Sequence, residues 1–523
     1  MKRLILVVMF ALLANSLFPK EWWKNAVFYE IFIRSFYDSD EDGKGDVKGM
    51  IEKLDYLNDG NPKTMSDLGI DAVWLMPAFE SPSYHGYDTV DYYKIDKEYG
   101  TEADFDLFIK EAHKRGIKII LDLVINHTSA NNPWFVKSAM KEDPYTDYYV
   151  WSQTIPEGPW GKPWGGGGAN TVWSFSNVRK EYYYSIFWSG MPDLNYKNKA
   201  VTQEIYKIAE YWIKKGIDGF RLDAARYLIE EGGGPGQSDS PATLKWWRDF
   251  NAFCKKINPN TMLVGETWEA NTIVSKYYDG GKGLDLCFDF ALSSGILAFV
   301  NGKNSVKVTE IFAQKKTLPA PNGFYAPFLS NHDQFRAMNM LGNDFNKAKL
   351  AAVVLLTMPG TPFLYYGEEV GLFQNSGKQD ELKRTPMPWT SGANAGFTSG
   401  NPWAPPAPYA DPYNVSAQQK DPDSLWNLYR MLLAVRKAYP ELAGEDVEFI
   451  DTGDKAVLGY TRGKGKNKVF VFVNASDTDK NISIPELNGK LIGFLMTGGQ
   501  EQYAKDAKVY VKGYSFQIMK IKK

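Results

Sequence analysis

Eight short β-branched or aromatic runs, most of them separated by helix-like stretches, constrain this chain of 523 residues more than any other feature. They fall at 27–33, 72–76, 118–124, 219–223, 262–266, 284–288, 323–329 and 362–366, with helical patterns such as 102–115, 200–215, 242–257 and 347–357 between them. Strands that alternate with helices pair in parallel, so the class is α/β and the architecture a (β/α)8 TIM barrel. The third and fourth runs lie much further apart than one helix requires. The intervening Trp-, Tyr- and Gly-rich stretch, including Trp164-Gly165-Gly166-Gly167-Gly168, reads as an inserted small domain. A Pro-, Gly- and Asn-rich segment, 375–423, follows the eighth run. Beyond a helix at 425–439, alternating runs at 469–473, 491–495 and 509–511 predict a C-terminal antiparallel β-sandwich. The expected division is a signal peptide at 1–16, a first barrel part at 17–130, an inserted domain at 131–193, a second barrel part at 194–440 and a C-terminal domain at 441–523.

Met1-Lys2-Arg3, the apolar run 4–13 and Ala14-Asn15-Ser16 form the basic region, short apolar region and small-residue site of an export signal. A secreted or periplasmic bacterial protein is expected. No stretch is long enough to span a membrane once the signal is removed. Acids and bases nearly balance at a net charge of −2, which favours neither nucleic acid nor an anionic membrane as a partner. Cys254 and Cys287, the only cysteines, read as buried free thiols, with a disulfide between them as the alternative, and a monomer is expected.

Chemistry concentrates where the runs end. Asp223 closes Gly219-Phe220-Arg221-Leu222-Asp223, Glu266 follows Leu263-Val264-Gly265, and Asp333 ends Phe328-Leu329-Ser330-Asn331-His332-Asp333. An acid at the end of a buried strand is costly to place, and a barrel mouth is its natural setting. Paired carboxyl groups across a sugar bond are the equipment of glycoside hydrolysis. Aromatic residues at 15% suit a saccharide binder, although most serve packing. Arg221 lies on the same strand face as Asp223 and is placed to hold it ionised.

Asp122-Leu123-Val124-Ile125-Asn126-His127, with the segments around Asp223, Glu266 and Asp333, resembles the four signature regions of α-amylase-type enzymes of glycoside hydrolase family 13, in order. The likeness runs from about Trp22 to the end. It implies Asp223 as nucleophile, Glu266 as general acid/base and Asp333 as a fixed carboxylate that orients the substrate. A retaining mechanism wants the first two about 5–5.5 Å apart, with Glu266 protonated for the first step. The resemblance also implies that His85, His127 and His332 hydrogen-bond the sugar being cleaved and that Tyr87 stacks on it. It makes Asp88 and Arg384 a clamp on a terminal glucose. Trp268 is a candidate floor for the leaving group, and Asp122 a residue that orients Arg221.

Asp38-Ser39-Asp40-Glu41-Asp42-Gly43-Lys44-Gly45-Asp46 carries oxygen ligands at the first, third, fifth and ninth positions of an EF-hand loop, Gly at the sixth and the Lys44 carbonyl at the seventh. Gly49 replaces the usual Glu at the twelfth, so a structural Ca2+ is expected rather than a sensor. Related oligosaccharide-cleaving enzymes carry a similar loop. A second Ca2+ near Asn126 is disfavoured, because Tyr227 stands where relatives that bind one often have His.

Met191-Pro192-Asp193-Leu194-Asn195 resembles a fifth family region, intermediate between the oligo-1,6-glucosidase and neopullulanase groups. The reading is a secreted retaining α-amylase that cleaves α-1,4 bonds of starch and maltooligosaccharides. Two alternatives share the barrel: an exo-acting α-glucosidase, oligo-1,6-glucosidase or transglycosylase on short chains, and a non-catalytic sugar-binding protein. A trehalose-synthase-like isomerase would not be expected to carry an export signal, and non-catalytic relatives typically lose one of the three acids.

Overall fold

In the computed structural model, which describes residues 21–165, 172–377, 379–498, 503–505 and 507–522, the eight runs become eight strands of one sheet. They are β1 (Phe28–Ile31), β2 (Ala72–Leu75), β3 (Lys118–Leu123), β4 (Gly219–Leu222), β5 (Met262–Gly265), β6 (Leu286–Phe288), β7 (Tyr325–Ala326) and β8 (Phe363–Tyr365). The order is β7-β6-β5-β4-β3-β2-β1-β8. The ring closes where Phe363 N donates to Pro327 O at 2.9 Å and Thr361 N to Tyr325 O at 3.2 Å. This is a (β/α)8 barrel followed by a C-terminal β-sheet domain. The export segment and Gly166 to Gly168 lie outside the described residues.

The sixth and seventh strands are shorter than the runs suggest. Asn322–Phe324 forms a 3-10 turn before β7, and Pro327, which has no N–H to give a neighbouring strand, ends it. The alternation of strand and helix survives because it rests on composition, whereas strand ends rest on single residues.

Contacts divide the chain into two compact units, one comprising residues up to Val73, Glu111–Ile117 and those from Asp289 on, the other Trp74–Lys110 and Lys118–Phe288. In the second unit β3 to β6 are buried on both faces. Gly219 is required at the β4–β5 contact, since a Cβ there would lie 2.2 Å from Met262 O. The helix Lys199–Lys215 begins at Asn198, whose side chain caps Ala200 N, and stops at Gly216 with φ +113. Its Val201, Ile205, Ile208 and Trp212 form the apolar stripe. Pro241–Ile257 starts on a Ser240 cap and buries Trp246, Trp247, Phe250 and Cys254. Both cysteines are free and buried.

Within the long insertion, Trp151–Ser152, Tyr182–Tyr184 and Trp173–Phe175 form an antiparallel sheet with Tyr182–Tyr184 central. Its core is Trp160, Val172, Trp173, Tyr184 and Ile186. The fifth motif ties this sheet to the end of β3. Asp193 accepts Ile186 N and Asn126 Nδ2, each at 2.9 Å, and Leu194 N reaches Asn126 O at 3.0 Å.

In the first unit the C-terminal strands make a five-stranded and a three-stranded sheet. Val457, Phe470, Phe472 and Met519 of one and Ile482, Val509 and Val511 of the other share a single apolar core. Just after β8, Glu368 and Glu369 are buried side by side. Glu369 Oε1 accepts Tyr29 OH at 2.8 Å and also Tyr56 OH, and Glu368 Oε1 accepts Tyr429 OH at 2.7 Å.

Burial, with Glu369 beside it, pushes the Glu368 carboxyl up from 4.5 to about 8. A group that binds its proton more tightly when folded stabilises fully below its unfolded pKa and loses that contribution as pH rises through the folded one. Glu368→Gln, which keeps an oxygen for Tyr429, should therefore raise the melting temperature at pH 9 and leave it unchanged at pH 4. An equal shift at both pH values would show that packing, not the proton, sets the difference.

Candidate active site

Strand register carries the acids to one level. Asp122 pairs with Arg221 across β3 and β4, and Arg221 with Val264 across β4 and β5. The next rung pairs Leu222 with Gly265. One step further, Asp223 and Glu266 emerge together, and Glu266 N donates to Leu222 O at 3.0 Å. Ala224 then turns with φ +49, a left-handed conformation strained for an L-residue, which brings its N–H 3.4 Å from Glu266 Oε2.

Arg221, fully buried, is the hub of this group of acids. Its Nη1 lies 2.9 and 3.0 Å from the Asp122 oxygens and 2.7 Å from Asp223 Oδ1. Nη2 lies 2.7 Å from Glu266 Oε2, an ion-pair contact outside aligned hydrogen-bond geometry. The guanidinium carbon sits over the Trp74 ring at 5.1 Å and the Tyr87 ring at 5.7 Å. Tyr87 OH donates to Asp122 Oδ2 at 3.0 Å and Trp74 Nε1 to the same oxygen at 3.3 Å. Sequence reasoning linked Arg221 to Asp122 and Asp223. It missed the contact with Glu266, and it missed Trp74, which only the β2–β3 neighbourhood reveals.

The remaining sugar-contact candidates of this unit are held close by. Asp88 Oδ1 accepts the hydroxyls of Ser81, at 2.8 Å, and Ser83, and Ser83 Oγ lies 3.1 Å from His85 Nδ1. The His85 and Tyr87 rings stack at 6.1 Å. Burial drives His127 below the ordinary imidazole range, against the opposing charges of Asp223 and Asp88. It is neutral, and its Nε2–H is engaged by the Tyr87 carbonyl at 3.0 Å. Trp268 is half exposed, with its carbonyl accepting Arg226 Nη1 at 3.2 Å. Arg226 is itself bonded to Asp239 and paired with Glu269 at 3.0 Å.

The other unit carries Asp333. His332 Nε2 lies 3.0 Å from Asp333 Oδ2, and its Nδ1 lies 2.6 Å from Glu30 Oε1. Arg384 Nη2 reaches Asp333 Oδ1 at 3.0 Å, and its Nε donates to His332 O at 3.1 Å. Although burial opposes it, the charges of Asp333 and Glu30 raise His332 from 6.5 to about 9, so this imidazole is a cation near neutrality. Glu30 escaped the sequence reading. It is an acid within a buried apolar strand, the same signal that picks out Asp223.

The acidic loop belongs to this unit too. Carboxylate oxygens of Asp38, Asp40 and Asp42 lie within 4.8 Å of one another. Asp38 Oδ1 accepts Asp40 N and Glu41 N, and its Oδ2 accepts Gly43 N at 2.8 Å and Thr398 Oγ1 at 2.5 Å. An all-oxygen, carboxylate-rich donor set suits a hard cation such as Ca2+. The Asp46 carboxylate caps the helix Val47–Glu52 through Gly49 N at 2.8 Å and accepts Ser39 N at 2.7 Å. Lys44 N donates to Asp42 Oδ1 at 2.7 Å.

His332 gives this set a pH signature. Its contribution to stability is complete below pH 6.5 and disappears as pH passes about 9. The melting-temperature gap between the wild type and His332→Gln should be widest near pH 6 and close by pH 10. A gap constant across that range would contradict a charged His332.

The profile of the α-amylase catalytic domain matches residues 30–445. Alpha-amylase 3 of Dictyoglomus thermophilum is 39% identical over 512 residues, 96% of this chain and 95% of that protein. The oligo-1,6-glucosidase of Parageobacillus thermoglucosidasius is 32% identical over 531 residues, 89% and 92% of the two chains. The crystal structure of the α-amylase from H. orenii superposes with a TM-score of 0.82 at 37% identity, covering 95% of this chain and all of that one. With this barrel and these acids, the chain belongs to the α-amylase family of glycoside hydrolases, family 13, and is an enzyme of that type.

Proposed function

We propose that the protein is an exported, retaining α-glucan hydrolase that cleaves α-1,4 bonds of starch and maltooligosaccharides. The observation that carries this reading is the shared level of Asp223 and Glu266 around one buried guanidinium. Asp223 attacks the anomeric carbon while Glu266 gives its proton to the departing glycosidic oxygen. The C–O bond to the leaving sugar breaks and an ester to Asp223 forms. In the second step Glu266, now a carboxylate, takes a proton from water, whose oxygen displaces Asp223 with the α configuration restored. Arg221 favours the ionised Glu266 needed in the second step, whereas the negative charge of Asp223 favours the protonated form needed in the first. Asp333, paired with His332 and Arg384, orients the sugar in this reading. The similarity to an α-amylase at 39% identity supports the α-1,4 preference.

A second reading, exo action on short chains with α-1,6 tolerance, is favoured by the contact of Arg384 with Asp333, which puts a clamp candidate beside a carboxylate of the site. The oligo-1,6-glucosidase relative agrees with it. Asp38, Asp40 and Asp42 would hold a Ca2+ whose contribution is charge neutralisation of the loop. The basic and apolar start of the chain supports export.

A product time course on amylose and maltotriose separates the readings. Early mid-length α-anomeric fragments from amylose are expected. Glucose alone, from short chains with amylose spared, would establish exo action. Asp223→Asn should lower turnover by at least about a thousandfold while the fold remains intact, and near-normal hydrolysis by it would remove Asp223 from the mechanism. Chelation should lower the melting temperature by several degrees and added Ca2+ restore it, since a ligand at about 100 times its Kd stabilises by about 2.7 kcal/mol. An unchanged melting curve, with no bound Ca2+ by elemental analysis, would dismiss the metal.

A further inference from the structure

Loops that follow barrel strands are ordinarily the mobile part of the fold, yet the one that carries Arg384 is pinned at three consecutive carbonyls. The Lys383 carbonyl accepts Arg336 Nε and Tyr365 OH, each at 3.0 Å. The Arg384 carbonyl accepts Ser35 Oγ, and the Thr385 carbonyl accepts Tyr366 OH at 2.7 Å. All four donor residues are buried. They come from three places in the chain: the short helix after β1, the segment after Asp333, and the end of β8.

Arg336, three residues past Asp333, does the most. Its Nη1 donates to the Tyr366 carbonyl, so one guanidinium joins the end of β8 to the 383 carbonyl. Its central carbon stands 4.1 Å from the centre of the Tyr365 ring and 4.5 Å from that of Tyr366. A buried charge is costly to place, but the planar fork of donors fixes a geometry that a neutral side chain could not. The two aromatic faces hold the fork in its plane.

Lys383 closes the frame from the other side. Its Nζ donates to the Asp333 carbonyl at 3.0 Å and to Asp380 Oδ1 at 2.7 Å. Arg336 thus grips the Lys383 carbonyl, and Lys383 grips the Asp333 carbonyl. Between these ties Arg384 Nη2 reaches Asp333 Oδ1 at 3.0 Å. Asp333 N donates to Asn331 Oδ1 at 3.1 Å, and His332 Nε2 lies 3.0 Å from Oδ2. Every polar atom of Asp333 is therefore held, although its side chain is 36% exposed. A carboxylate that has to meet particular hydroxyl groups gains from being oriented beforehand.

We propose that Arg336 and Lys383 are positioning residues for hydrolysis, which hold Arg384 against Asp333 so that the carboxylate is aimed before the sugar arrives. Neither has to touch the substrate. Both roles rest on that of Asp333 in the hydrolase reading.

A double-mutant cycle on maltotriose separates positioning from packing. Arg336→Lys keeps the charge and loses the fork, and Lys383→Met keeps the stem and loses the donor. Each should lower kcat/KM by about tenfold, and Lys383→Arg should recover most of the second loss. Made in an Arg384→Ala chain, the same two changes should cost less than about twofold, because the group they position is gone. Lys383 is partly exposed, so its cycle decides the matter alone if Arg336→Lys does not fold. Full losses that persist in the Arg384→Ala chain would mean that the residues act through general packing. Undiminished activity of either single variant would mean that the loop needs no such tie. Either result overturns the proposal and leaves the hydrolase reading standing. Asp333→Asn hydrolysing at the wild-type rate would remove the role of Asp333, and the positioning with it.

Discussion

One buried guanidinium organises the acids that close β3, β4 and β5. Arg221 has no access to water and faces three carboxylates, so its charge is affordable only because Asp122, Asp223 and Glu266 surround it, and theirs only because of it. Replacing any one partner strands the others in a medium that solvates ions poorly. The flat ring of Trp74 beneath the cation and the Tyr87 hydroxyl on Asp122 fix the guanidinium in its plane. Geometry that a catalyst needs is thus a by-product of charge balance.

The histidines show how little residue type alone decides. His127 is buried with a carbonyl for its N–H and stays neutral. His332 is equally buried, but Glu30 and Asp333 lie on its two nitrogens and it carries a proton. Glu368 makes the complementary case: a carboxyl with only a tyrosine hydroxyl on one oxygen and another carboxyl nearby keeps its proton to about pH 8. In each case the neighbours that strand order and loop path deliver set the charge.

Most of the barrel was legible because strand composition repeats eight times, and the acids were legible because charge at the end of an apolar run is conspicuous. Glu30 obeys the same rule, but it sits inside its run with Ile31 and Phe32 behind it, so it read as part of the strand. The link from Arg221 to Glu266 could not be read, since it depends on β4 and β5 being neighbours in one particular register. Pro327 shortens β7 for a reason present in the sequence, the missing N–H, which run-counting overlooks.

The acidic loop has a consequence for the order in which the chain can finish folding. Asp38 is bonded to Thr398, 360 residues later. Gly43 lies against Asn401 so closely that a Cβ would stand 1.8 Å from its carbonyl oxygen, and Trp403 N donates to Gly43 O at 2.8 Å. A chain made from its N-terminus exposes the loop early and supplies its packing partner only after three-quarters of synthesis. Contacts of such separation form late, because closing the intervening chain costs entropy before any contact repays it. The loop therefore works as a completeness check: a truncated chain keeps its three aspartates but never acquires the wall they close against.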